Sequence, residues 1–111
     1  MALPININDL ILGRAVESER VEYKRGWNPG SIYRSICAFA NDFSDIGGGY
    51  VIVGVDEENG LPVLPPAGLK ENDIDGILKE MISLNNLINP SYHPKISIEE
   101  IEGEKVLVIW V

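Results

Sequence analysis

The sequence predicts a single mixed α/β domain, and three observations lead there. Short segments with period-two alternation, or continuous apolar runs, read as strands. Two segments with apolar residues at helical spacing lie between them. The resulting order, strand–helix–strand–helix–strand–strand, is that of a mixed central sheet with two main helices packed on it. The 111 residues suit one domain, and 45% apolar with 23% charged residues is ordinary for a globular one.

Residues 6–12 read as a short helix stopped by Gly13, a helical lead-in over 1–12 ahead of the main domain over 13–111. Residues 19–25 alternate. Val21 and Tyr23 fall on one face, and Arg20, Glu22 and Lys24 on the other, so this strand is expected to keep one solvated face. Gly26 to Gly30 is a loop. Ser31 is the expected cap of a helix over 31–43, with Ile32, Ile36, Phe39, Ala40 and Phe43 as its apolar stripe and Cys37 beside it in the core. Gly47, Gly48 and Gly49 break the chain. They follow a helix and open a strand, the reverse of a nucleotide loop, so they are read as a sharp turn or a close approach. Asn41 is expected to bond that turn or to meet a substrate.

Tyr50 to Val55 is nearly all apolar and suits a strand covered on both faces, ended by Asp56. Glu57-Glu58-Asn59-Gly60 has turn chemistry, and three prolines in 61–69 predict an irregular connection. Asn72 is the expected cap of a second helix, with Ile74, Ile77, Leu78, Met81 and Ile82 as its buried stripe. Asn89-Pro90 and His93-Pro94 mark a loop. Residues 95–101 and 105–111 then form a hairpin across Glu102, Gly103 and Glu104. An apolar strand at the chain's end, Val106 to Val111, is the expectation for a piece of a longer protein.

The net charge of −8 is unevenly spread. In residues 1–35, Arg14, Arg20, Lys24, Arg25 and Arg34 slightly outnumber Asp9, Glu17, Glu19 and Glu22. The rest of the chain carries all of the negative excess. Its long-range field repels polyanions, so nucleic-acid contact has to be local and centred on the first third. No run approaches the ~20 apolar residues of a membrane helix. The N-terminus lacks a secretory pattern, and the lone Cys37 forms no internal disulfide, which points to a reducing, cytoplasmic setting.

Chemistry concentrates near the first strand. If that strand neighbours the apolar one, Glu17, Glu22 and Asp56 converge at a sheet edge. Three carboxylates without His or Cys favour Mg²⁺ or Mn²⁺, which would activate water against a phosphodiester while Lys24 holds a phosphate. The alternative is ordinary: Glu and Lys on a wet strand face, and Asp56 as a turn starter. Trp27 is the candidate to stack on a base, while Tyr23 packs inward beside Val21. His93 has no nucleophile in a matching context, which leaves no catalytic triad.

Three blocks in order, Glu17-Ser18-Glu19-Arg20-Val21-Glu22-Tyr23-Lys24, Ile36-Cys37-Ala38-Phe39-Ala40-Asn41 and Gly48-Gly49-Tyr50-Val51-Ile52-Val53-Gly54-Val55-Asp56, resemble the AlbA-2 (Schlafen AlbA-2) domain from about residue 13 to the end. The resemblance implies a DNA-binding domain in a larger bacterial transcriptional regulator. It also implies kinship with metal-dependent endoribonucleases acting on structured RNA, whose acidic trio falls on Glu17, Glu22 and Asp56, with Lys24 the neighbouring basic residue. Three functions follow as expectations. The first is a DNA- or RNA-binding module using Arg20, Lys24, Arg25 and Trp27. The second is an Mg²⁺- or Mn²⁺-dependent endonuclease. The third is a protein-interaction or homo-oligomerisation domain. Downstream domains of the same chain are the expected further partners.

Overall fold

The computed structural model describes residues 21–40, 49–86 and 94–111. The expected helix over 6–12, Asn41, Phe43, Gly47, Gly48 and His93 lie outside these residues. The expected element order is present. Strand β1 (Val21–Lys24) leads to helix α1 (Pro29–Ala40) and strand β2 (Tyr50–Val53). A small ribbon follows, β3 (Glu57–Glu58) and β4 (Leu61–Pro62), then helix α2 (Glu71–Asn85) and the hairpin β5 (Lys95–Ile101) and β6 (Glu104–Trp110).

The main sheet has the order β1-β2-β6-β5. β1 pairs parallel with β2, while β6 runs antiparallel to both β2 and β5. β2 and β6 therefore occupy the centre. This explains why Tyr50 to Val53 and Val106 to Ile109 are apolar without alternation, because both of their faces are covered. On one face Val51, Val53, Leu107 and Ile109 pack under Ile32 and Ile36 of α1 and Ile77 and Met81 of α2. On the other, Val21, Tyr23, Tyr50, Ile52, Val106 and Val108 join Val55 and Ile101. Ile32 and Ile36 are fully buried, each stabilising the fold by roughly 1.5–3 kcal/mol.

Tyr23 packs inward as expected, at 3% exposure. The polar face of β1 is only partly solvated, with the Lys24 and Glu22 side chains 23% and 34% exposed. α1 lies over it and presents Ser31 and Ser35 one turn apart. Lys24 Nζ donates to Ser31 Oγ at 2.8 Å, and Ser35 Oγ donates to Glu22 Oε2. The helix thus turns isoleucines 32 and 36 to the sheet centre and serines 31 and 35 to its edge.

Several local expectations are corrected. α1 is capped by Asn28, whose side chain accepts the Ser31 N–H at 3.3 Å, with Pro29 as first helical residue. Ser31 is thereby free to meet Lys24. Cys37 is exposed, because it lies about 100° around the helix from Ile36, and Ala40 is exposed at the helix end. α2 begins at Glu71, and its N-cap Lys70 makes no side-chain capping bond, so Asn72 sits inside the first turn. Ile82 is 64% exposed, off the stripe of Ile74, Ile77 and Met81. Asn85 is buried instead, accepting the Tyr33 hydroxyl at 2.6 Å.

The two-residue turns are both left-handed at each central position. Asn59 and Gly60 (φ 54° and 81°) close the ribbon, and Glu102 and Gly103 (φ 51° and 82°) close the hairpin, so β6 starts at Glu104. The proline-rich connection after β4 is irregular, as expected, but it is tied to the sheet by backbone hydrogen bonds. Gly68 N–H donates to Gly54 O and Leu69 N–H to Lys105 O, both at 2.8 Å. Gly54 has φ 105°, and a Cβ there would lie 3.2 Å from Leu69 Cγ. Glycine at this position, and at Gly68 with φ 79°, lets the connection lie down on the end of β2 and deliver Leu69 and Lys70 to the site described next.

Candidate functional site at the carboxyl edge

β1 and β2 finish at the same edge of the sheet, where Lys24 O accepts both Gly54 N–H (2.7 Å) and Val55 N–H (3.1 Å). Two exits open there: the loop from Arg25 to Asn28 and, through Asp56, the β3–β4 ribbon. Arg25 Nη1 and Asp56 Oδ2 pair across them at 3.3 Å, with side chains 74% and 45% exposed. Asp56 also accepts the Glu57 N–H at 2.9 Å.

The loop reaches across to α2. Trp27 Nε1–H donates to Glu80 Oε1 at 3.1 Å, and its ring meets Tyr33 edge-on, 6.3 Å between centroids. Between this loop, the connection at residues 67–70 and the first half of α2 lies an open groove of about 740 Å³. Arg25, Trp27, Leu69, Lys70, Asp73 and Glu80 line it, with Gly76 in the middle of its helical wall. The Tyr33 phenol behind Trp27 is pushed up to about 12, first by burial and then by the negative charge of Glu80. At the far end of the connection Lys105 pairs with Glu71. That contact lowers the Glu71 carboxyl below its usual range and raises the Lys105 amine.

The residues singled out from sequence separate into groups. Arg25 and Trp27 stand together at the groove. Lys24 and Glu22 lie behind them against α1, 3.9 Å apart and half-buried. Asp56 belongs to the Arg25 pair. Glu17 and Arg20 lie outside the described residues. Glu22 and Asp56 thus have different partners. Among the described residues no three His, Cys, Asp or Glu side chains gather as a metal-binding group. The pair Glu22 and Asp56 does not by itself form the ligand set that Mg²⁺ or Mn²⁺ needs.

Leu69, Lys70, Asp73, Gly76 and Glu80 were not legible as site residues. The one sequence signal was the glycine at 76 inside a helix, on the same face as 73 and 80.

A four-stranded mixed sheet carrying its two helices on one face, with a groove at its carboxyl edge, defines a small mixed α/β domain. Residues 17–111 match the family described as Schlafen, AlbA_2, and the chain belongs to it. The chain is similar to the solution structure of the N-terminal domain of a RecG-related protein from Nitrosomonas europaea, by its name akin to ATP-dependent DNA helicases. The TM-score is 0.74 at 32% identity, over 94% of this chain and 71% of that one. The crystal structure of the DIP2311 protein from Corynebacterium diphtheriae shares the fold, with a TM-score of 0.56 at 23% identity. That match covers 93% of this chain and 24% of that one. Comparison with curated proteins finds no match. No helix among the described residues is long and apolar enough to cross a membrane.

Proposed function

We propose that the domain binds nucleic acid, DNA in the first instance, at the carboxyl-edge groove, as one module of a longer regulatory protein. The observation that carries this reading is the placement of two exposed cations, Arg25 and Lys70, around a groove walled by the Trp27 indole. Cations of this kind hold phosphate oxygens, and an indole offers a face to a base. Arg25 is already paired with Asp56, but the pair is exposed. Such pairs are worth about 0–1 kcal/mol, so the guanidinium is readily transferred to a phosphate.

Two comparisons support the reading: membership of the AlbA_2 family and likeness to an N-terminal domain of a helicase-related protein. The second also supports a role as part of a longer chain. The charge of −8 sets the style of binding, with few phosphate contacts and modest affinity in place of a broad basic face.

The test is fluorescence anisotropy at low salt with labelled DNA and RNA, comparing the wild type with Arg25→Ala and Lys70→Ala. Each substitution should weaken binding several-fold. Absence of binding to every oligonucleotide by the wild type would end the proposal.

A further inference from the structure

We infer that the groove accepts a single unpaired base, so that the domain selects single-stranded or locally opened nucleic acid over duplex. This rests on the nucleic-acid reading above and names the ligand of the same site.

The first argument is Gly76. It lies near the middle of the fifteen-residue α2, where glycine is the least favourable residue after proline. Nothing among the described residues requires it. A Cβ at this position would meet no atom within 4 Å, and the backbone there is ordinary helix. What its absence provides is room at the centre of the groove's helical wall. Gly26, on the opposite wall, is equally unobstructed.

The second argument is that the aromatic wall is already built. The Trp27 ring is held at its nitrogen by Glu80 and by a T-shaped contact with Tyr33, so little side-chain freedom is lost when a base packs beside it. Half-buried Leu69 supplies apolar surface, and Asp73 supplies acceptors for the N–H groups on a base edge. Arg25 and Lys70 are at hand for the adjoining phosphates. The volume, about 740 Å³, lies within the roughly 300–1,000 Å³ of small-ligand pockets and leaves space for a base with its sugar.

The third argument is electrostatic. A duplex carries one negative charge per ~1.7 Å of axis and keeps its bases stacked inside. A domain with net charge −8, whose groove cations Arg25 and Lys70 are matched by Asp73 and Glu80, pays a large repulsion to approach that surface. A flexible strand can turn one base into the groove and direct most of its phosphates away.

The experiment uses the 111-residue chain and fluorescein-labelled oligonucleotides, DNA and RNA, each single-stranded and as the matching duplex. Single strands should bind at least tenfold more tightly than duplex. Their affinity should fall only shallowly with salt, with a log–log slope of about −1.4 for two phosphate contacts. Gly76→Ala should weaken single-strand binding and Gly76→Leu should weaken it further, at least tenfold, while both raise the thermal midpoint, because both residues favour helix. That split separates a filled groove from a damaged fold. Equal affinity for duplex and single strand, or unchanged binding by Gly76→Leu, would overturn the inference and leave the nucleic-acid proposal standing. No binding by the wild type to any strand would remove both.

Discussion

Trp27 and Glu80, fifty-three positions apart in sequence, are joined by a 3.1 Å hydrogen bond from the indole nitrogen to a carboxylate oxygen. The bond ties the loop after β1 to the exposed flank of α2. It therefore fixes the width of the groove as well as the angle of its aromatic wall.

Trp27→Phe keeps an aromatic ring beside Tyr33 but removes the donor together with the pyrrole part of the indole. The lost bond is largely exposed, so the expected cost is about 0.5–1.5 kcal/mol. Urea unfolding should show a lower midpoint with a nearly unchanged slope, because one smaller side chain changes the area exposed on unfolding very little. A variant as stable as the wild type would mean that the groove's two walls are not coupled through this bond.

Tyr33 gives the domain an alkaline limit. Its phenol titrates at about 12 when folded, against 10.0 for a free tyrosine, so the folded state holds this proton more tightly than the unfolded one. Below pH 10 both states are protonated and the contribution is complete. Between about 10 and 12 the unfolded chain sheds the proton first, and stability is lost as pH rises. Tyr33→Phe should be less stable at neutral pH by about 1–3 kcal/mol, because Asn85 Oδ1 loses its buried donor. The gap between the two proteins should narrow in urea titrations run from pH 9.5 to about 12. A constant gap would show that Tyr33 is not the titrating group.

The sheet was legible in the sequence for a simple reason. Its central strands are covered on both faces, and Tyr50–Val53 and Val106–Ile109 register that as unbroken apolar runs. β1 announced itself by alternation, and Asn59-Gly60 announced its turn. The helix faces were less legible, because at 100° per residue a neighbour of a core position can point either way. Cys37 beside Ile36, and Ile82 beside Met81, both turned out to water. The sequence also could not show which element would cover the polar side of β1. Only the packing of α1 turns Glu22 and Lys24 into partners of Ser35 and Ser31. The groove was legible by half. Arg25 and Trp27 lie in the segment where its cations were expected, whereas Lys70 and Gly76 are brought to it by the connection anchored at Gly54.

The helix-face correction can be measured directly. Ile77 is 4% exposed and packs among Val51, Val53, Leu107 and Ile109, so Ile77→Ala should cost about 2–5 kcal/mol through lost burial and a cavity. Ile82 is 64% exposed, and Ile82→Ala should change stability by less than about 0.5 kcal/mol. Denaturant unfolding of the pair reads the difference. A large loss at Ile82 would indicate that this side chain is covered in solution, for example by a second copy of the domain.

The carboxylates suggested by the resemblance allow a last discrimination. To hold one divalent ion, Glu22 would have to leave the Ser35 hydroxyl, and Asp56 would have to leave both Arg25 and the Glu57 N–H. Lys24 and Arg25 would then stand beside the ion as like charges, 3.9 Å and 3.3 Å from the oxygens it needs. On the nucleic-acid reading proposed above, the expected outcome is binding of a strand without its cleavage. Structured RNA incubated with the wild-type protein in Mg²⁺ or Mn²⁺ should be recovered intact. Glu22→Gln should alter stability only, by about 0.5–1.5 kcal/mol, since the amide oxygen still accepts from Ser35 but without charge. Metal-dependent cleavage by the wild type that disappears in Glu22→Gln would reverse this conclusion. It would assign Glu22, and with it Asp56 and Glu17, to a nuclease centre formed by rearrangement around the ion.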